Sequence, residues 1–286
     1  MSVRREVTLR KSHVLIRLNS NPQVSLFSKE VSILYAVFIV GMAGSGKSVF
    51  TANFLDWLRI SDQNVVSLNL DPGALALPYN PDVDVREYVD LDAIMEEYQL
   101  GPNGALLMAA DLVGDHIEEI KESVEDSGPD IVLVDTPGQI ELFAFRESGP
   151  YISHALTDDS SAVIYLFDAP FCRSPLNYVS NMFMAAAVYN RLLQPQIYVL
   201  TKTDLVTSEE LDQMVSWSEE IEQLEHALEA RLGKTASLIS RDLAQAITRT
   251  GLNFEPIPVS AKGKTGFVEV NAELTRILTG GEELKP

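Results

Sequence analysis

The 286-residue sequence predicts a three-layer α/β fold, a mostly parallel sheet with helices on both faces. Three observations predict it. Short apolar runs recur along the chain, separated by stretches with helical spacing. The runs are apolar at successive positions rather than alternate ones, as in strands covered on both faces. Apolar residues make up 46% of the chain, enough for a sizeable core, and no Pro/Gly-rich linker divides it.

The strand-like runs are 36–40, 65–70, 131–134, 162–167, 196–200 and 256–259. The helical stretches are 48–59, 84–98, 105–125, 175–193, 209–232 and 267–278. Right-handed crossovers between parallel strands then fix most of the topology. Residues 205–250 are acidic and helical without a strand signal, so they read as an insertion packed beside the sheet. The basic start and the apolar run 31–43 imitate a signal peptide. That run is shorter than the roughly 20 residues a membrane span takes, and it leads directly into a glycine-rich turn. A buried strand explains it better, and no membrane partner is expected.

The formal charge is −19, which argues against direct nucleic-acid binding, since phosphate backbones select basic surfaces. The charge is uneven: +4 within residues 1–33 and −23 beyond them. The single cysteine, Cys172, excludes an internal disulfide and fits a reducing, cytoplasmic compartment.

The segment "GMAGSGKS", residues 41–48, matches G-x-x-x-x-G-K-[ST] between a strand and an amphipathic helix, the arrangement a phosphate-binding P-loop needs. Its glycines let successive backbone N–H groups converge on an anion, and the helix start adds its positive end. The expected nucleotide-binding residues here are Gly41, Ala43, Gly44, Ser45, Gly46, Lys47, Ser48 and Val49. Lys47 is expected to neutralise the β/γ oxygens, and Ser48 to ligate Mg²⁺. In "IVLVDTPGQ", residues 131–139, Asp135 ends a strand and faces the ligand crevice as a second magnesium residue. The Gly138 N–H is expected to meet the γ-phosphate, and Gln139 occupies the place of a water-positioning glutamine. In "LNLDPG", residues 68–73, Asp71 ends another strand and reaches the same rim, although Asp-Pro-Gly is also ordinary turn chemistry. These features predict a three-layer P-loop NTPase fold in which two acids and Gln139 orient a water for attack on the γ-phosphate.

Two later loops point to the base. Thr201-Lys202-Thr203-Asp204 resembles the [N/T]-K-x-D pattern that reads guanine, with the Asp204 carboxylate accepting from N1–H and the exocyclic amine together. Lys202 is expected to lay its stem on the base, while Thr201 offers fewer hydrogen bonds than asparagine. Ser260-Ala261-Lys262 matches the loop whose backbone N–H reads guanine O6. Their order after the P-loop favours GTP over ATP.

"GMAGSGKS", "NLDPG", "DVREYV", "GPNG", "DTPGQIELF", "TKTDL" and "VSAK", in that order, resemble the GPN-loop GTPases, a SIMIBI-class P-loop family, in their archaeal-type homodimeric form. The resemblance runs from about residue 34 to 280. By itself Gly101-Pro102-Asn103-Gly104 is a good turn, with Asn103 able to cap a helix at Ala105. The resemblance implies more: a homodimer in which Gly101, Pro102 and Asn103 of each subunit reach the partner's nucleotide, in the place of an arginine finger. It also implies that Asp71 and Gln139 position the water, that Ser48, Asp71 and Asp135 serve the metal, and that GTP/GDP and Mg²⁺ are the ligands. Gly73 stands where such proteins often carry alanine. Arg86, in "DVREYV", is expected only to make a surface or dimer salt bridge. By family analogy alone, a role in RNA polymerase assembly is a further expectation.

The chain is thus read as a GTP-hydrolysing homodimeric switch with an assembly or regulatory role. The alternatives are a P-loop kinase acting on a small molecule or nucleic-acid end, and a nucleotide-dependent assembly factor with negligible catalysis. A kinase needs an acceptor pocket and usually an arginine-bearing lid, and the sequence signals neither. Its organisation reads as a basic extension over 1–33, one domain over 34–280 and a tail over 281–286. The extension is expected to be a disordered tail or an upstream over-extension of the reading frame, with initiation near Leu34.

Overall fold

The computed structural model describes residues 34–157, 159–232, 234–249 and 254–280. The expectations for 1–33 and 281–286 lie outside them. Among the described residues seven strands form one sheet, and every pairing is parallel. In chain order they are β1 (Tyr35–Gly41), β2 (Val65–Asn69), β3 (Val83–Asp84), β4 (Ile131–Asp135), β5 (Ser161–Asp168), β6 (Gln196–Thr201) and β7 (Ile257–Pro258). Across the sheet they run β3-β2-β4-β1-β5-β6-β7. All therefore present their C-terminal ends on one edge.

The unbroken apolar reading of β1 has a direct cause. Tyr35, Val37 and Ile39 enter one core layer, and Ala36, Phe38 and Val40 enter the other. The first layer is closed by α1 (Lys47–Ile60) and by α12 (Phe267–Leu278), the last of the helices in chain order. Phe50, Phe54 and Leu58 repeat every four residues on α1 and are buried. The Phe267 ring meets that of Phe54 at 5.3 Å and that of Phe50 edge-on at 5.7 Å. On the opposite face the Phe38 ring stacks on that of Phe143 at 5.7 Å.

The helices of that second face differ from the sequence reading in three places. The expected helix 84–98 is instead the short strand β3, a 3₁₀ turn (Val85–Glu87) and α2 (Leu91–Tyr98). Two aspartates cause the division: Asp84 accepts from the Arg86 N–H, and Asp90 caps α2 by accepting from the Asp92 and Ala93 N–H groups. The expected helix 105–125 begins earlier and is split into α3 (Pro102–Asp115) and α4 (Ile117–Glu125). Pro102 takes the first position of α3, which its fixed φ suits. Gly101 is then the N-cap and Asn103 lies within the first turn, so Asn103 does not cap a helix at Ala105. Two short helices, α5 (Ile140–Phe143) and α6 (Ser148–Ala155), follow β4 in a region with no helical expectation. Further on, α7 (Ala169–Cys172) and α8 (Pro175–Leu192) lie between β5 and β6.

The helical expectation for 205–250 resolves into α9 (Ser208–Glu219), α10 (Ile221–Leu232) and α11 (Lys234–Arg249). Met214, Trp217, Leu224 and Leu228 of this group enter the same core as α8, where Trp217 meets Tyr178 edge-on at 5.4 Å. No helix among the described residues is long and apolar enough to cross a membrane.

Candidate nucleotide-binding site

Strand order decides what the sheet's C-terminal edge displays. On one side of β1 lie β4 and β2, carrying Asp135 and the loop of Asp71. On the other lie β5, β6 and β7, carrying Asp168, the loop 201–205 and the loop 259–265. The P-loop rises from β1 between them. Ligands bind at this edge of open α/β sheets, and the acids and base-reading motifs sit on opposite flanks of one anion cradle.

The cradle itself follows from glycine. Gly44 and Gly46 have φ of 78° and 92°, the left-handed region that side chains rarely tolerate. Gly46 is also the N-cap of α1, a 14-residue helix whose free N–H groups face this end. Lys47 is buried, and its ammonium donates to the carbonyls of Gly41 (3.0 Å), Met42 (3.3 Å) and Gly138 (3.0 Å). Burial lowers the Lys47 pKa, while the Asp135 and Asp71 carboxylates pull it back up.

The two acids behave differently. Asp135 is buried, and Tyr79 donates its hydroxyl to Oδ2 at 3.1 Å. Burial pushes the Asp135 carboxyl up to about 6, against the lowering pull of Ser48, Tyr79 and Lys47. Asp135 Oδ1 is buried with no hydrogen-bond partner among the described residues, as is Ser45 Oγ. Buried polar atoms of this kind call for an explanation. Oxygen ligands alone, from Ser48, Asp135 and Asp71, fit a hard cation that keeps several waters, so the residues fit Mg²⁺.

Asp71 is held at both ends. Oδ1 accepts from the Gly73 N–H and Oδ2 from the Gly138 N–H, each at 2.9 Å. The Gly138 amide, expected to meet a phosphate oxygen, is thus engaged by Asp71. A Cβ on Gly73 would lie 2.4 Å from Leu106 Cδ2, the end of a half-buried side chain on α3, so alanine here requires only that Leu106 turn aside. Gln139 is exposed at the start of α5.

On the base flank the Asp204 carboxylate accepts from Ser260 Oγ at 2.8 Å, and Ser260 Oγ accepts from the Gly263 N–H at 2.9 Å. This joins the TKTD and SAK loops. Thr201 is buried and its hydroxyl reaches the carbonyls of Ser45 (2.9 Å) and Phe167 (3.1 Å). These two bonds tie the 201–205 loop to the P-loop and to the end of β5. Lys202, with φ of 60°, donates to the Gly44 carbonyl (2.5 Å) and to Asp168 Oδ2 (2.6 Å). The cavity between these groups, ≈ 240 Å³, is lined by Ser45, Gly46, Val49, Thr201, Asp204, Ala261 and Lys262 among others. Gly101, Pro102 and Asn103 are exposed, away from this cavity's lining.

The structure adds residues that the motifs did not supply. Asp168 ends β5 as Asp135 ends β4, so the same strand-end logic marks it. Tyr79 carries no sequence signal, because only the fold brings it to Asp135. Arg86 pairs with Asp84 of its own chain.

A family model described as "Conserved hypothetical ATP binding protein" matches residues 39–279. The GPN-loop GTPase QQT2 of Arabidopsis thaliana is 32% identical over 244 residues, covering 82% of this chain and 63% of its own length. GPN-loop GTPase 1 of Saccharomyces cerevisiae is 33% identical over 198 residues, 68% of this chain and 51% of its own. The chain thus spans about half to two thirds of these relatives. A GPN-loop GTPase of Pyrococcus abyssi is 33% identical over 239 residues, 82% of this chain and 93% of its own. The Pyrococcus abyssi crystal structure described as a GTPase in apo form superposes with a TM-score of 0.75 at 31% identity, covering 86% of this chain and 97% of that one.

Proposed function

The chain belongs to the GPN-loop GTPase family, and from that premise we propose that it binds GTP and GDP and hydrolyses GTP as a homodimeric switch. The observation that carries the reading is the pairing of two flanks around one P-loop: Asp71 and Asp135 on one side, and the Asp204–Ser260 bond at 2.8 Å on the other. The family description names ATP and the relatives' names say GTPase. Asp204 is the chemical discriminator. A carboxylate accepts from the two adjacent donors of guanine, and adenine offers no such pair. Phosphate release is therefore expected from GTP and not from ATP. Asp204→Asn is expected to weaken GTP binding about 30- to 100-fold, roughly 2–3 kcal/mol. It should gain xanthosine triphosphate, whose C2 carbonyl can accept from the new amide. Fluorescent-nucleotide titration checks both, and an enzyme that turns over ATP as fast as GTP would refute the base-site reading.

In this reading Lys47 and the N–H groups of the P-loop hold the β- and γ-phosphates. Ser48, Asp135 and Asp71 hold Mg²⁺, which supplies charge neutralisation on the phosphate oxygens. Asp71 and Gln139 orient the attacking water. The arginines closest in sequence to the site are committed elsewhere: Arg59 to Asp82, Arg86 to Asp84, Arg146 to Asp111 and Arg173 to Glu210. A group from outside the subunit suits the remaining phosphate charge, and the exposed Gly101-Pro102-Asn103 turn of a second copy is our candidate. Exposed apolar side chains also lie on α3 and the segment that follows β4: Leu107 (40% exposed) on α3, and Phe145 (39%) and Tyr151 (54%) on that segment. Tyr151 lies over Gly114, at the end of α3 opposite the GPN residues. A switch that times the assembly of other proteins is the role we favour, with RNA polymerase as the family's analogy.

A further inference from the structure

We propose that Arg86, Asp84 and Asn69 are positioning residues that set the Asp71 carboxylate against the Gly138 amide, and that hydrolysis depends on this relay. The inference rests on the reading that Asp71 acts in hydrolysis.

The relay begins at the sheet's edge. β3 has two residues, and its register places Asp84 beside Asn69 of β2. Asn69 is fully buried, and its amide is used on both sides. Oδ1 accepts from the Asp71 N–H (3.0 Å), while Nδ2 donates to the Asp71 carbonyl (3.2 Å) and to Asp84 Oδ1 (2.9 Å). One side chain therefore grips the backbone of Asp71 by both its N–H and its C=O. Only one orientation of that amide works. An ionised carboxylate accepts and cannot donate, so Asp84 requires the NH₂ group and leaves the carbonyl oxygen for the Asp71 N–H.

Arg86 sets Asp84 in turn. Its Nε lies 3.0 and 3.1 Å from the two carboxylate oxygens and a terminal nitrogen lies 2.5 Å from Oδ2. The other terminal nitrogen donates to the Ala74 carbonyl at 2.8 Å. The guanidinium thus holds the loop 71–74 from the far side while Asn69 holds it from the near side. The loop's product is the Asp71 carboxylate, clamped between the Gly73 and Gly138 amides. A lysine keeps the charge but lacks the planar fork needed for three such bonds at once. A clamp serving only to close the sheet edge would not need Asn69 to bond both backbone groups of Asp71.

The test uses the full chain with Arg86→Lys, and Asn69→Ser as a second variant should the first fold poorly. Supporting partners of a site typically change activity 10- to 100-fold, so kcat for GTP is expected to fall about that much. GDP affinity should stay within about twofold, because no relay residue lines the base cavity. Hydrogen exchange on protein freed of nucleotide is the second readout. Amides in segments 69–75 and 136–140 should exchange faster in the variants, with α1 unchanged. Unchanged exchange there overturns the relay whatever the turnover. So does wild-type kcat in folded Arg86→Lys beside a slow Asp71→Asn, or a parallel loss of kcat and GDP affinity. Wild-type turnover in Asp71→Asn would instead overturn the assignment of Asp71, and the relay with it.

Discussion

Asp71→Asn protein is expected to bind GDP as the parent does and to release phosphate from GTP about 10²- to 10³-fold more slowly, roughly 3–4 kcal/mol of transition-state stabilisation. Two effects combine. The amide removes the charge that orients a water, and its NH₂ group faces one of the two N–H donors, Gly73 and Gly138, that the carboxylate now accepts. Donor facing donor leaves one amide unpaired and shifts the loop. Because the P-loop, Lys47 and the base loops are untouched, and Ser48 and Asp135 still serve the metal, binding is preserved and the loss lies in kcat. Single-turnover phosphate release beside a GDP titration separates the two. A fall in GDP affinity as large as the fall in rate would place Asp71 in ground-state binding instead.

Asp135→Asn is expected to trade function for stability. In protein freed of nucleotide and metal, the buried carboxyl is pushed up to about 6. Its unfolded value is near 4, on the order of an ordinary aspartate. A folded pKa above the unfolded one means the folded state holds the proton more tightly between those values. The stabilisation is complete below about pH 4 and lost as pH rises through about 6. That rise corresponds to roughly 3 kcal/mol at about pH 8, an upper figure because the ionised carboxylate also supports the charge of Lys47. Urea unfolding of the parent and the variant from about pH 4 to about pH 8 should show the variant gaining on the parent by up to about that amount. The same variant should lose GTP turnover, about 100-fold or more, with the metal site. A parent that gains on the variant as pH rises through about 6 contradicts the burial argument.

How legible this was depends on where each residue's partners lie in the chain. β1, β4 and β5 announced themselves because Val37, Leu133 and Ile164 and their neighbours are apolar whichever face they point to. The P-loop was legible because Gly44, Gly46 and Lys47 are one local unit whose backbone geometry is set by glycine. Asp135 followed from the end of β4, whereas Asp71, read as a strand end, lies in the loop two residues past β2. What stayed hidden depends on tertiary pairing. Residues 84–98 have helical spacing, and only the side-chain bonds of Asp84 and Asp90 show that the chain restarts twice. The start of α3 at Pro102 was signalled by proline, yet the reading of Asn103 as a cap masked it. The short helices after Gln139 wrap tightly, with Gly149 against the Phe143 carbonyl, a packing that leaves no periodicity to read. Tyr79 and Arg86 acquire their roles only when β3 pairs with β2 and the loop between them folds over the sheet's edge.

One mixing experiment tests directly whether a second copy of the chain completes the GTPase site. Asn103→Ala subunits keep Lys47 but offer no GPN asparagine. Lys47→Ala subunits offer the asparagine but cannot hold the phosphates. Each variant alone should release phosphate from GTP at a small fraction of the parent rate. After equal mixing and exchange, about half of the dimers are mixed and each has one complete site of two, so about a quarter of the parent turnover should return. A mixture as inactive as its two components, with exchange shown by mass, would contradict the account, as would an Asn103→Ala protein that hydrolyses GTP at the parent rate.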